Sequence, residues 1–291
     1  MDMKNLKTYS MFESVMELTR EQVQWLDDCT KGTWALNPQT GLVDMKGSFN
    51  CSSQRLSDFK GVRFGMVGGN FDCENNALTS LEGAPPKVGG DFYCNINRLT
   101  SLEGAPLKVG GGFDCEYNAL TSLMGAPLKV GGGFDCEYNA LTSLEGAPQE
   151  VGGSFWCDNN ALTSLEGAPL KVGGSFDCEN NQLTSLEGAP LKVDGSFLCH
   201  NNALTTLEGA PHEVGGRFYC HDNPVSDKTL KTIFAKMQKD TSYLAAVESL
   251  WSEIPLDDQV LLYADDFKWV SPEQSRGIVA LRAYQGLRGM L

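Results

Sequence analysis

Apolar positions recur along this chain with a period of 21 residues. Cys73, Cys94, Cys115, Cys136, Cys157, Cys178, Cys199 and Cys220 are each 21 apart, and Cys51 lies 22 before the first of them. A phenylalanine stands two residues before every one of these cysteines, from Phe49 and Phe71 to Phe218. The alternation in Phe-x-Cys predicts a short strand with Phe and Cys pointing inward. An asparagine follows three residues after the cysteine (Asn76, Asn97, Asn118 and so on to Asn223). Its amide both donates and accepts, so a stacked column of asparagines can satisfy bending backbone and neighbouring rungs together. Two leucines return to the core, as Leu78 and Leu81 do. Glu-Gly-Ala-Pro follows, the proline holding an extended path on the convex side, and a valine (Val88, Val109, Val130) dips inward before Gly-Gly turns the chain. A fixed period of this size predicts a solenoid whose units bury their apolar faces by stacking. Twenty-one residues leave no room for a crossover helix.

The flanks have other patterns. Thr19-Arg-Glu-Gln22 reads as a capping box in front of a short amphipathic helix, with Val23, Trp25 and Leu26 on its apolar face. Residues 32–41 read as a turn-rich link with a strand at its start. Trp25, Trp34 and Leu36 are candidates to cover the open end of the stack. After the last repeat, Leu230, Ile233, Phe234 and Met237 share a helical face, and Ser271-Pro-Glu-Gln274 opens a final helix.

The run Phe-x-Cys-x-x-Asn-x-Leu-x-x-Leu is similar to the leucine-rich-repeat pattern, with Phe and Cys in two leucine slots. The array also resembles short bacterial and bacteriophage repeats that read Asn-x-Leu-Thr-Ser-Leu-Glu-Gly-Ala-Pro. The first unit departs from it, with Gln54 in the asparagine slot and Phe59 in a leucine slot; the last has Pro224 and Val225 in place of Ala-Leu. The fold expected is α+β. It comprises an N-terminal helical cap (residues 1–45), a leucine-rich-repeat solenoid (46–223) and a C-terminal helical domain (224–291). In the solenoid a parallel β-sheet lines the concave face and the convex side is irregular.

Charge sharpens this picture. The chain of 291 residues has a formal net charge of −14. Residues 49–223 carry 10 basic and 21 acidic side chains, so the acidity belongs to the repeats. Such a surface repels nucleic acid and favours a basic partner, a cation or simple solubility. Nine of the ten cysteines occupy one repeat position. On strands ~4.8 Å apart, their Cβ atoms stand further apart than the roughly 3.8 Å of a disulfide. The expectation is a ladder of reduced, buried thiols, fitting a reducing cytosol. No apolar run has the length of a signal peptide or membrane span, and a cytoplasmic location is expected.

The outward positions beside each cysteine form the candidate recognition face. They are Asp72 and Glu74, Asp114 and Glu116, Asp135 and Glu137, and Asp177 and Glu179. Tyr93, Trp156 with Asp158, and Tyr219 interrupt these pairs, while Tyr117 and Tyr138 stand in an adjacent column. Two carboxylates per ~4.8 Å rung approach the charge density of duplex DNA, one per ~1.7 Å. The face therefore suits a basic or DNA-binding protein, although tandem copying of a soluble repeat also makes charge columns. No catalytic motif is present, and buried thiols are poor nucleophiles. No EF-hand loop occurs, and His200 with His221 reads as a chance pair, so neither metal nor cofactor is expected. The function expected is non-enzymatic protein binding through this face. Resemblance to phage repeats implies an inhibitor or sequestering protein that binds a host protein, a defence factor among the candidates, in a bacterial cytoplasm. The alternative is a structural or assembly role through the C-terminal helices. Neither direct nucleic-acid binding nor membrane binding is expected.

Overall fold

The computed structural model describes residues 18–31, 33–220 and 222–224. Each 21-residue coil contains two short strands on opposite sides of a narrow core. The first is the Phe-x dipeptide, such as Phe71–Asp72 or Phe113–Asp114. The second is the Lys-Val or Glu-Val dipeptide, such as Lys87–Val88 or Glu150–Val151. Stacking the coils produces two sheets, each of ten strands among the described residues. Between repeats both keep register: Phe71 pairs with Phe92, which pairs with Phe113, and Val88 pairs with Val109, while the second sheet slips by one residue where Val43–Met45 meets Phe64–Val67.

This is a two-sheet β-solenoid, and it corrects the leucine-rich-repeat assignment. A horseshoe needs one side wider than the other. Here the side expected to be irregular carries its own ladder, with Gly89 donating to the Val67 carbonyl at 2.8 Å and Gly110 to that of Val88 at 3.0 Å. The first sheet has matching bonds, Cys73 N–H to Tyr93 O at 2.9 Å among them. Hydrogen-bonded strands on both sides impose one rung spacing of ~4.8 Å, so the stack has no inner and outer radius. The face taken as concave is the outer surface of the first sheet. The proline of each coil stands at the corner leading into the second. With the leucine-rich-repeat assignment falls the support it lent to a bacteriophage, anti-defence reading.

The core between the sheets follows the period. Phe, Cys, Leu, Leu and Val of successive coils are buried, and Phe71, Cys73, Leu78 and Leu81 are wholly inaccessible. From Phe49 to Phe218 the phenylalanine rings stack face to face, with centroids 5.1 to 5.5 Å apart. All ten cysteines are free and buried, the nine of the repeat as their spacing predicts and Cys29 at the end of the N-terminal helix. Several thiols donate to a carbonyl of the next coil, as Cys115 Sγ does to Asp135 O at 3.1 Å.

The asparagine column also forms as its chemistry predicts. Asn139 Nδ2 donates to Cys115 O, Cys136 O and Glu137 O at 3.0 to 3.2 Å, and its Oδ1 accepts from Leu120 N at 3.0 Å. One amide thus ties two coils at the bend that follows the first strand.

The N-terminal end is closed by the helix Arg20–Cys29, whose capping box joins Thr19 and Gln22. Trp25 and Leu26 are buried, and the Trp25 ring meets Phe49 edge-on at 5.2 Å. Thr30–Lys31 pairs antiparallel with Ser48–Asn50 in the first sheet, and Trp34–Leu36 pairs antiparallel with Val43–Met45 in the second. Both sheet edges are therefore occupied by antiparallel strands, which stop the parallel ladder from continuing. The helices expected after residue 224 lie outside the described residues.

Candidate functional site

The first sheet's outer surface and the bend that follows it carry the candidate recognition residues, from Asp72 to Tyr219. Phe and Cys take the inward positions, so the residues that alternate with them face out in two columns. Strand pairing sets the neighbours in one column: Asp72 beside Tyr93, then Asp114, Asp135, Trp156, Asp177, Leu198 and Tyr219. The second column runs Glu74, Asn95, Glu116, Glu137, Asp158, Glu179 and His200.

The aspartates have a structural duty. Asp72, Asp114, Asp135 and Asp177 each accept the backbone N–H of the glutamate two residues on at 3.1 Å. This local bond ends the strand and turns the chain toward the asparagine bend. The residue after each glutamate then takes a left-handed conformation, Tyr117 at φ 48° and Tyr138 at φ 47°. Their rings are exposed and stack on each other with centroids 4.4 Å apart.

Two further aromatics are held differently. The Tyr93 hydroxyl donates to Asp91 Oδ2 at 3.1 Å, and Asp91 also accepts from Asn70 and Gly112. Trp156 lies across the preceding coil, where a Cβ on Gly133 would stand 2.6 Å from the indole. Sequence reading passed over Gly133, and the glycine by itself was no signal, because Gly112 in the same column has no ring against it.

Packing carboxylates in columns changes their chemistry. Burial first, then the neighbouring carboxylates, push Asp114, Asp135 and Asp177 up to about 7 and Glu137 to about 8. Asp72 and Asp158 are raised for the same leading reason. The last described member of the column is His200, whose Nε2 lies 2.5 Å from Glu179 Oε2. His221 lies outside the described residues, so the histidine pair is not on view.

The sequence suggested same-rung Asp and Glu pairs. The tightest group instead crosses rungs: Glu116, Asp135 and Glu137 bring carboxylate oxygens within 4.8 Å of one another. Asp158 follows Glu137 in its column and is almost fully buried, only 6% exposed. Asp72 and Glu74 stand apart from this group, separated by the Tyr93 and Asn95 rung, and Tyr219 lies beyond Leu198 at the other end.

The repeat thiols are no part of a reactive site. Burial drives those from Cys73 to Cys199 far above the ordinary thiol range. No family model matches the chain, and no curated protein matches it at a significant level. Among the described residues no helix is long and apolar enough to cross a membrane.

Proposed function

We propose that this protein is a non-catalytic binding scaffold that receives a basic protein on the outer surface of its first sheet. The observation that supports this reading is the company of carboxylates and aromatics on one regular face. In-register columns of Asp and Glu stand beside the stacked, exposed Tyr117 and Tyr138 and the half-buried Trp156. Carboxylates at rung spacing attract an array of Lys and Arg, and rigid aromatics anchor it at low entropic cost. Like charges stacked this closely weaken the fold, a cost that binding of a basic partner removes. An enzyme would single out one acid and one base; here the same pair recurs in four coils.

The test compares the wild-type chain with a variant in which Asp114→Asn, Glu116→Gln, Asp135→Asn and Glu137→Gln are combined. A basic protein captured by the wild type should be released by salt and lost from the variant, while circular dichroism shows the solenoid intact. A partner retained equally by both proteins defeats the proposal.

A further inference from the structure

Away from the acidic face, the corner entering the second sheet carries an apolar strip. Leu107, Leu128, Leu170 and Leu191 are 52 to 69% exposed there. They stand one above another, because backbone bonds hold that column in register. The Leu128 N–H donates to Leu107 O at 3.3 Å, Gln149 N–H to Leu128 O at 3.2 Å and Leu191 N–H to Leu170 O at 2.9 Å. A contiguous row of exposed leucines marks an interaction surface.

Charged columns run along both margins of the strip. The chain crosses these coils in the order Glu-Gly-Ala-Pro-Leu-Lys, so an exposed glutamate lies on one side of the leucine and an exposed lysine on the other. Lys129 is bonded to Glu150 of the next coil, and Lys192 to Asp194 and Glu213. Lys87, Lys108 and Lys171 form no ion pair among the described residues, and neither do Glu82, Glu103 and Glu166, five residues before them. A uniformly charged partner is drawn to one margin and repelled by the other. The surface that fits has the same apolar centre with its charges exchanged left for right.

A second copy of the chain supplies that surface. Rotation about a two-fold axis parallel to the stack keeps each coil level with its counterpart and exchanges the margins. The leucine rows then meet, and Gln149 meets Gln149 of the second copy, each amide both donor and acceptor. Glu82, Glu103 and Glu166 face Lys87, Lys108 and Lys171 of the second copy, and the reverse. Met124 takes the glutamate's place opposite Lys129, whose charge is already engaged by Glu150. Where Glu145 and Glu208 face Glu150 and Glu213, Lys129 and Lys192 already hold the latter two. A two-fold axis across the stack would instead set lysine against lysine and glutamate against glutamate.

We propose that this chain forms a parallel two-fold dimer through the strip from Leu107 to Leu191. Its seven coils, from Glu82 to Glu208, at ~4.8 Å each make a patch about 30 Å long and roughly 15 Å wide. Two such patches bury on the order of 1,000 Å², the small end of specific interfaces. The acidic face stays free in the dimer, so the pairing stands whether or not a basic protein binds there.

The experiment is sedimentation equilibrium of the full chain from about 1 to 200 μM, the range a small interface calls for. The expected result is a reversible monomer–dimer equilibrium. Combining Leu128→Asp with Leu170→Asp should weaken it about tenfold or more, with circular dichroism unchanged. Lys108→Glu with Lys171→Glu should weaken it likewise, and adding Glu103→Lys and Glu166→Lys should restore it. Because Leu107 meets its own counterpart, Leu107→Cys alone should give a disulfide-linked dimer on mild oxidation, the native thiols being buried. A chain that stays monomeric at the highest concentration overturns the proposal and leaves the strip to another protein or to residues 225–291. Association that survives the two aspartates, or charge reversal without rescue, overturns it by placing the contact elsewhere. A covalent dimer that requires Leu107→Cys and Leu191→Cys together overturns the parallel arrangement.

Discussion

Individual side chains on the acidic face serve the fold and strain it together. Asp177 illustrates both, because its Oδ1 accepts the Glu179 amide at 3.1 Å while burial and its neighbours push its carboxyl up to about 7. An unfolded aspartate ionises near 3.9. Between about pH 4 and 7 the folded chain therefore holds a proton that the unfolded chain has released, and stability falls as pH rises through that window. Asp177→Asn keeps the accepting oxygen and removes the charge. It should raise the melting temperature by a few degrees at pH 8 (~1 kcal/mol or more), with the gain vanishing below about pH 4. A gain that is the same at pH 3.5 and pH 8 would refute the like-charge account. That Asp177 faces outward was legible from the alternation in Phe-Asp-Cys. Its backbone bond was not, because hydrogen bonding two residues ahead depends on the bend that follows.

Among the local elements of each coil, the corner before the second strand has no room for a side chain. Gly125 sits at φ 91°, and a Cβ there would lie 2.6 Å from the Leu102 carbonyl carbon and 2.7 Å from Glu103 N. The obstacle is backbone, so it cannot move aside. Gly125→Ala should cost about 1–3 kcal/mol, seen as a lower midpoint in urea. Gly112→Ala meets nothing nearer than 3.4 Å and should stay within ~0.5 kcal/mol of wild type. Equal effects at the two positions would show that the close approach is not what selects glycine. The sequence displayed Gly-Ala-Pro at this corner in coil after coil, but the strand it leads into escaped notice. Lys-Val is two residues long, and alternation over two residues has no readable period.

For the whole molecule, stability depends on closing a stack that could grow at its ends. In a solenoid each coil is held by its neighbours, so the terminal coil has half the contacts of an internal one. Trp25 fills that role over Phe49, its Nε1 donating to Gln54 Oε1 at 2.9 Å. Trp25→Ala should destabilise by roughly 3–5 kcal/mol and raise the apparent mass with concentration in light scattering, relative to the wild-type chain. Unchanged stability and mass would mean the helix is dispensable as a cover.

The sequence by itself determined the repeat, its interior and the identity of every column. A constant 21-residue period with in-register pairing leaves each side chain only its own counterparts as neighbours. Phe-x-Cys is enough to orient the strand, and the Asn bend follows from amide chemistry. Tertiary structure decided the rest. Whether coils form an arc or a two-sheet stack depends on hydrogen bonds between the Lys-Val segments, which exist only once coils are superimposed. The grouping of Glu116, Asp135 and Glu137 likewise depends on side-chain conformations across coils. The repeat alone offers four equal acidic pairs, and the indole of Trp156, the break at Asn95 and the burial of Asp158 make them unequal. Spacing fixes which residues are adjacent, whereas the environment of each charge is a sum over neighbours that only the assembled stack supplies.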